Sequence, residues 1–125
     1  RSAEKEEYEQ AVSQGLFFRD AFTVNTIGIK EVIRQTQRIL KGKKIYLTID
    51  IDVVDPAYAP GTSTPEPFGL SPLQVTELIE AFAPQLVGCD LVEVCPPYDQ
   101  GQTAVLAAKL IKNCISWMSK NTGLS

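Results

Sequence analysis

Lys44-Ile45-Tyr46-Leu47-Thr48-Ile49-Asp50-Ile51-Asp52 is the stretch from which the rest of the chain is read. Lys44 to Ile51 is β-branched and almost wholly apolar, which predicts a strand covered on both faces. Upstream, Ile29, Val32, Ile33, Thr36, Ile39 and Leu40 recur at helical spacing, predicting a helix over 27–40 with Gly42 beyond its end. Downstream lies a Pro/Gly/Thr-rich loop, Asp55 to Leu70. Ser71-Pro72 then opens a second helix, with Ser71 as N-cap, Pro72 at the first helical position and Gln74 completing a capping box. Its core stripe is Val75, Leu78, Ile79 and Phe82. Leu86 to Val94 reads as another strand, followed by the loop Cys95-Pro96-Pro97-Tyr98-Asp99. A last helix over 102–119 is expected to bury Ala104, Ala107, Ala108, Ile111, Ile115 and Met118.

Nearer the N-terminus, Ala21 to Val24 reads as a short strand, and Ser2 caps a polar helix over 3–14 that Gly15 stops. Strands alternating with helices predict an α/β fold: three αβα layers around a mostly parallel sheet of about three strands, joined by right-handed crossovers. In such sheets ligands bind beyond the carboxyl ends of the strands.

At 125 residues the chain suits one domain with a real core. The net charge is −3 and no Lys/Arg cluster forms a basic face, so nucleic acid is not an expected partner. The apolar runs fall far short of the roughly 20 residues a membrane helix needs, so no membrane partner is expected either. Arg1 to Gln14 is polar and acidic, unlike a signal peptide. Cys89, Cys95 and Cys114 are odd in number and lack zinc-type spacing, which suits reduced thiols in a cytoplasmic protein. Histidine is absent, which removes Ser-His-Asp and Cys-His schemes and any His-containing metal site made by this chain alone. The single methionine is Met118, so Arg1 is expected to be the start of a piece rather than of a polypeptide.

Two acidic groups fall at strand ends. Asp50 and Asp52 stand at i and i+2, and in an extended chain both carboxylates point to one side. Without a cation, one of two such buried charges would have to take a proton, and a hard divalent ion relieves the conflict. The plainer reading is a pair of aspartates capping loop amides. Asp55, before Pro56, reads as a turn initiator whose carboxylate bonds loop amides. Glu93 lies among Leu91, Val92 and Val94, where a glutamate is costly unless it meets a cation or donor. A planar guanidinium would reward it with paired hydrogen bonds, and a surface salt bridge is the alternative. Asp90 reads as structural.

Asp50-Ile51-Asp52-Val53-Val54-Asp55-Pro56, followed by Ala59-Pro60-Gly61-Thr62-Ser63-Thr64-Pro65-Glu66-Pro67, resembles the signature of the ureohydrolase family, which includes arginase and agmatinase. Leu91-Val92-Glu93-Val94-Cys95-Pro96-Pro97-Tyr98-Asp99 is similar to the family's next motif, and its Pro-Pro-Tyr-Asp ending resembles agmatinase-like members. The strong match covers about 46–110. The resemblance implies an arginase-like fold, of which residues 1–125 would be the C-terminal part of one domain. It also implies a binuclear manganese (Mn²⁺) centre, with Asp50 bridging the ions and Asp52 binding one. Glu93 would hold the guanidinium of a small guanidino substrate, and Thr64 would help orient it. The implied reaction is hydrolysis of agmatine to putrescine and urea, in a homo-oligomer (trimer or hexamer) when full length. Ser63 and Phe68 stand where many members carry Gly, and Cys95 where Asn or Ser is frequent. The family's Gly-Gly-Asp-His and Asp-Ala-His-x-Asp motifs do not occur here. The isolated chain is therefore expected to be inactive.

Two other readings compete. One is an inert fragment or truncated structural module. The other is an Asp-x-Asp phosphatase, which would need a later acidic pair, typically Gly-Asp-x-x-x-Asp, that is not found here.

Overall fold

The computed structural model describes residues 5–122. Helix α1 (Lys5–Ser13) matches the expected polar helix, although its proposed cap, Ser2, lies outside the described residues. Helices α2 (Ala21–Ile27) and α3 (Ile29–Ile39) follow, then strand β1 (Ile45–Asp50), helix α4 (Pro72–Phe82), strand β2 (Leu86–Val92) and helix α5 (Gln102–Thr122).

The expected strand at Ala21 to Val24 is instead helical. The Asp20 carboxylate accepts the Thr23 amide at 2.6 Å and starts a helical turn that buries Val24. Gly28, at φ 85°, then ends α2 and begins α3, so the helix expected over 27–40 is present as Ile29–Ile39, starting two residues later than expected.

Among the described residues the sheet consequently has two strands rather than about three. β1 and β2 run parallel, with Thr48 opposite Asp90 and Asp50 opposite Val92. Ile45, Leu47 and Ile49 face inward, whereas Tyr46, Thr48 and Asp50 are exposed among the described residues. The expected double covering of β1 is thus seen on one face. Leu47, Ile49, Cys89 and Leu91 join Val75 and Ile79 of α4 and Ala107, Leu110 and Cys114 of α5 in one apolar cluster. Burial pushes the Cys114 thiol up to about 12, as befits a side chain serving as core. Val24, Ile29 and Val32 extend this cluster through α2 and α3.

Helix α4 begins as its sequence predicts: the Ser71 hydroxyl accepts the Gln74 amide at 3.2 Å, and the Gln74 side chain accepts the Ser71 amide at 2.7 Å. Helix α5 is rotated from expectation. Of the residues expected inside, Ala107 is buried, Ala104, Ile111 and Met118 are half-buried, and Ala108 and Ile115 are exposed, while Thr103, Leu110 and Cys114 complete the buried face. Apolar residues lie on several sides of this helix, so periodicity alone left the choice of face open. The buried Thr103 hydroxyl accepts the Gly61 amide at 2.8 Å, which fixes the rotation.

Candidate functional site

Strand β1 ends at Asp50, and Ile51–Val53 then forms a single 3₁₀ turn. The extended i, i+2 geometry expected for Asp50 and Asp52 is therefore not what joins them. The Asp50 carboxylate accepts the Asp52 amide at 2.9 Å and caps this turn. Both side chains nevertheless line one cleft of about 370 Å³, together with Thr64, Glu66, Arg19 and Asp20. The cleft lies at the carboxyl end of the strand, as the α/β rule requires.

The Pro/Gly/Thr-rich loop folds back over this turn. The Asp55 carboxylate accepts the Ala57 and Gly69 amides at 2.9 and 3.1 Å, matching its expected role. Backbone bonds from Asp55 to Leu70 and from Leu70 to Val53 close the loop base. Closure brings two hydroxyls to one carboxylate: Thr62 donates to one oxygen of Asp52 and Thr64 to the other. Thr62 is 1% exposed. The alternation Thr62-Ser63-Thr64 was the available signal for this grip, and sequence reasoning singled out only Thr64. In the structure the Thr64 hydroxyl donates to Asp52.

Glu93 lies one residue past β2, not within it, and has a left-handed backbone at φ 65°. It follows Val92, the register partner of Asp50, so the two acidic groups leave neighbouring strand ends. Its carboxylate accepts the Ser63 hydroxyl at 3.4 Å, while the side chain stays exposed and outside the lining of the Asp50–Asp52 cleft. The structure thus brings Asp50, Asp52 and Thr64 together, with Glu93 adjacent across the Ser63 loop. Asp90 lies within β2, where a hydrogen bond to its carboxylate raises the Tyr46 phenol above its ordinary value.

A second set of bonds ties the two loops together. The Gly61 amide donates to Thr103 Oγ1 at 2.8 Å, and the Cys95 amide donates to the Gly61 carbonyl at 2.8 Å. The Asp99 carboxylate accepts the Gly101 and Thr103 amides at 2.7 and 2.8 Å. Hydrogen bonds from the Thr103 hydroxyl and amide, joined by Gly101, hold the Asp99 carboxyl below its ordinary value.

Asp50 and Asp52 supply hard oxygen donors of the kind manganese or magnesium prefers. Asp52 has its orientation fixed by hydroxyls, so the pair fits part of such a site. Among the described residues, no three His, Cys, Asp or Glu side chains gather closely enough to hold an ion by themselves.

A model of the arginase family matches residues 1–116. The human protein named guanidino acid hydrolase, mitochondrial, is 42% identical over 120 residues, covering 92% of this chain and 33% of the relative. An agmatinase of Proteus mirabilis is 40% identical over 104 residues, 82% of this chain and 34% of that protein. The chain therefore spans about a third of the length of these curated relatives. The agmatine ureohydrolase of Thermoplasma volcanium superposes with a TM-score of 0.89 at 41% identity, covering 98% of this chain and 41% of that one. Arginase from Bacillus caldovelox does so with a TM-score of 0.85 at 28% identity, covering 91% and 40%. The loop signature, the strand-end carboxylates and these superpositions agree, and the chain belongs to the arginase family.

Proposed function

We propose that this chain is the carboxylate-bearing C-terminal part of a manganese-dependent hydrolase that cleaves agmatine to putrescine and urea. The observation that carries the reading is the convergence of Asp50 and Asp52 in one cleft, with Asp52 gripped by Thr62 and Thr64. In this reading Asp50 and Asp52 would hold the metal ions, Asp50 as a ligand shared by both and Asp52 as a ligand to one. Glu93 accepts paired hydrogen bonds from the substrate guanidinium. When bound, the ions would supply Lewis-acid polarisation and a water of lowered pKa at neutral pH. The chain's own residues hold and orient. The two threonine hydroxyls stop the Asp52 carboxylate from rotating, and Ser63 steadies Glu93.

Two carboxylates fill only part of an octahedral shell, and the remaining protein ligands are assigned in this proposal to polypeptide outside these residues. Thr64 orients substrate indirectly, through Asp52. Trimeric or hexameric assembly belongs to the same proposal, and exposed apolar side chains such as Phe22 and Val105 offer surface for it. A cytoplasmic location is also proposed. Among the described residues no helix is long and apolar enough to cross a membrane, and the human relative is named mitochondrial, so cell fractionation is the deciding measurement.

The test measures urea release with Mn²⁺ from agmatine and from 4-guanidinobutyrate, comparing the full-length polypeptide that carries this chain with residues 1–125 alone. Release by the former and none by the latter is expected. Turnover by residues 1–125 alone, or an active full-length Asp52→Ala variant, would refute the assignment.

A further inference from the structure

We propose that Thr103 and Asp99 are positioning residues: together they clasp the loop that orients Asp52 to the loop that carries Glu93, and so set the spacing of the two arms of the site. The inference rests on the activity proposed above only for its kinetic arm.

The clasp is a chain of bonds running through one glycine. The Gly61 N–H donates to Thr103 Oγ1 at 2.8 Å, and the Gly61 carbonyl accepts the Cys95 N–H at 2.8 Å. Gly61 immediately precedes Thr62, whose hydroxyl holds Asp52. Cys95 lies two residues after Glu93. One residue, through its two flanking peptide groups, therefore touches both arms, and Thr103 anchors it from helix α5. Thr103 is in turn anchored by the Asp99 carboxylate, which accepts its amide at 2.8 Å and that of Gly101 at 2.7 Å. Thr103 is fully buried, so no solvent replaces a lost partner at its hydroxyl.

Close packing adds a steric stop. A Cβ on Gly61 would lie 2.7 Å from Asp99 Cγ and 2.7 Å from Oδ2. Asp99 thus limits how far the Gly61 peptide can approach α5, while Thr103 limits how far it can retreat. Neither residue touches the cleft that holds Asp50 and Asp52. Both act through Gly61.

A purely structural role and a positioning role make different predictions for two variants of one residue. Thr103→Val keeps the branched shape and loses the hydroxyl, whereas Thr103→Ser keeps the hydroxyl and loses a methyl group. In the full-length polypeptide with Mn²⁺ and agmatine, Thr103→Val is expected to lower kcat about ten- to a hundredfold, the scale of a displacement near 1 Å. Thr103→Ser is expected to retain kcat while losing thermal stability. Amide hydrogen exchange gives a readout independent of activity. In Thr103→Val the Cys95 amide, whose own acceptor is untouched, is expected to lose protection together with Gly61. Wild-type kcat in the Val variant, a fall of both variants in proportion to stability, or an unchanged Cys95 amide would each overturn the proposal. If Thr103→Val fails to fold, Asp99→Asn is measured in its place, with the same coupled loss of protection expected and the same unchanged Cys95 amide decisive against it. If the unsubstituted protein releases no urea from any guanidino compound, the activity reading falls and the exchange experiment alone judges the clasp.

Discussion

Phe68 has a left-handed backbone at φ 66° and is 83% exposed. Left-handed backbone costs an L-residue about 1–2 kcal/mol, and glycine escapes that cost. Glycine also gains disorder in the unfolded chain, which offsets about 0.5–1 kcal/mol of the gain relative to alanine. Because so little of the ring is covered, its removal forfeits only a small part of the roughly 1.5–3 kcal/mol that a fully buried phenylalanine contributes. Phe68→Gly should therefore be more stable than Phe68→Ala by about 0.5–1 kcal/mol, the reverse of the order at an ordinary backbone position. Comparing these two variants cancels the loss of the ring and isolates the backbone. The assay is equilibrium urea unfolding of both variants, with equal slopes so that midpoints report stability alone. A Phe68→Ala protein as stable as Phe68→Gly, or more so, would refute the reasoning.

Two further outcomes follow from the loop clasp. Gly61→Ala forces its new methyl group into the Asp99 carboxylate and should lower stability by about 1–3 kcal/mol, the usual cost of overpacking. Adding Asp99→Ala should recover part of that loss, and strict additivity in the double-mutant cycle would exclude the clash. Because Thr103 and Gly101 hold the Asp99 carboxyl below its ordinary value, its contribution to stability is complete above that value and is lost as pH falls through the lower folded one. Asp99→Asn should consequently be less stable than the parent at neutral pH, with the gap narrowing in acid unfolding below the ordinary carboxylate range. A gap independent of pH would contradict this account.

Local chemistry was the legible part of the sequence. The capping box of Ser71 and Gln74, the Asp55 turn and the β-branched run of β1 each depend on neighbours a few residues away, and each appears where its pattern places it. Ala21 to Val24 was misread because four apolar and β-branched residues suit a strand or a helical turn equally, and the Asp20 cap decides between them. The buried face of α5 was misjudged for a related reason: its rotation depends on Gly61, which is 42 residues from Thr103 along the chain. In the site, the carboxylates at positions 50, 52 and 93 were visible as costly charges at strand ends. Their geometry was not. The 3₁₀ turn after Asp50, the Thr62 hydroxyl on Asp52 and the left-handed Glu93 all arise from loop closure, which periodicity does not encode.

Pairing between β1 and β2 works as a ruler. Glu93 reaches its place only because Val92 stands opposite Asp50, and a strand advances about 3.3 Å per residue. A slip of two residues would keep every inward side chain inward and still carry Glu93 about 7 Å from its station. Hydrophobic matching alone would tolerate that error. The ring of Tyr46 guards against it by lying across Gly88, where even a methyl group would sit 2.9 Å from the ring. Sliding β2 would bring a larger residue beneath the tyrosine. An aromatic side chain at the far end of the strands thereby calibrates the distance between acidic groups that it never touches.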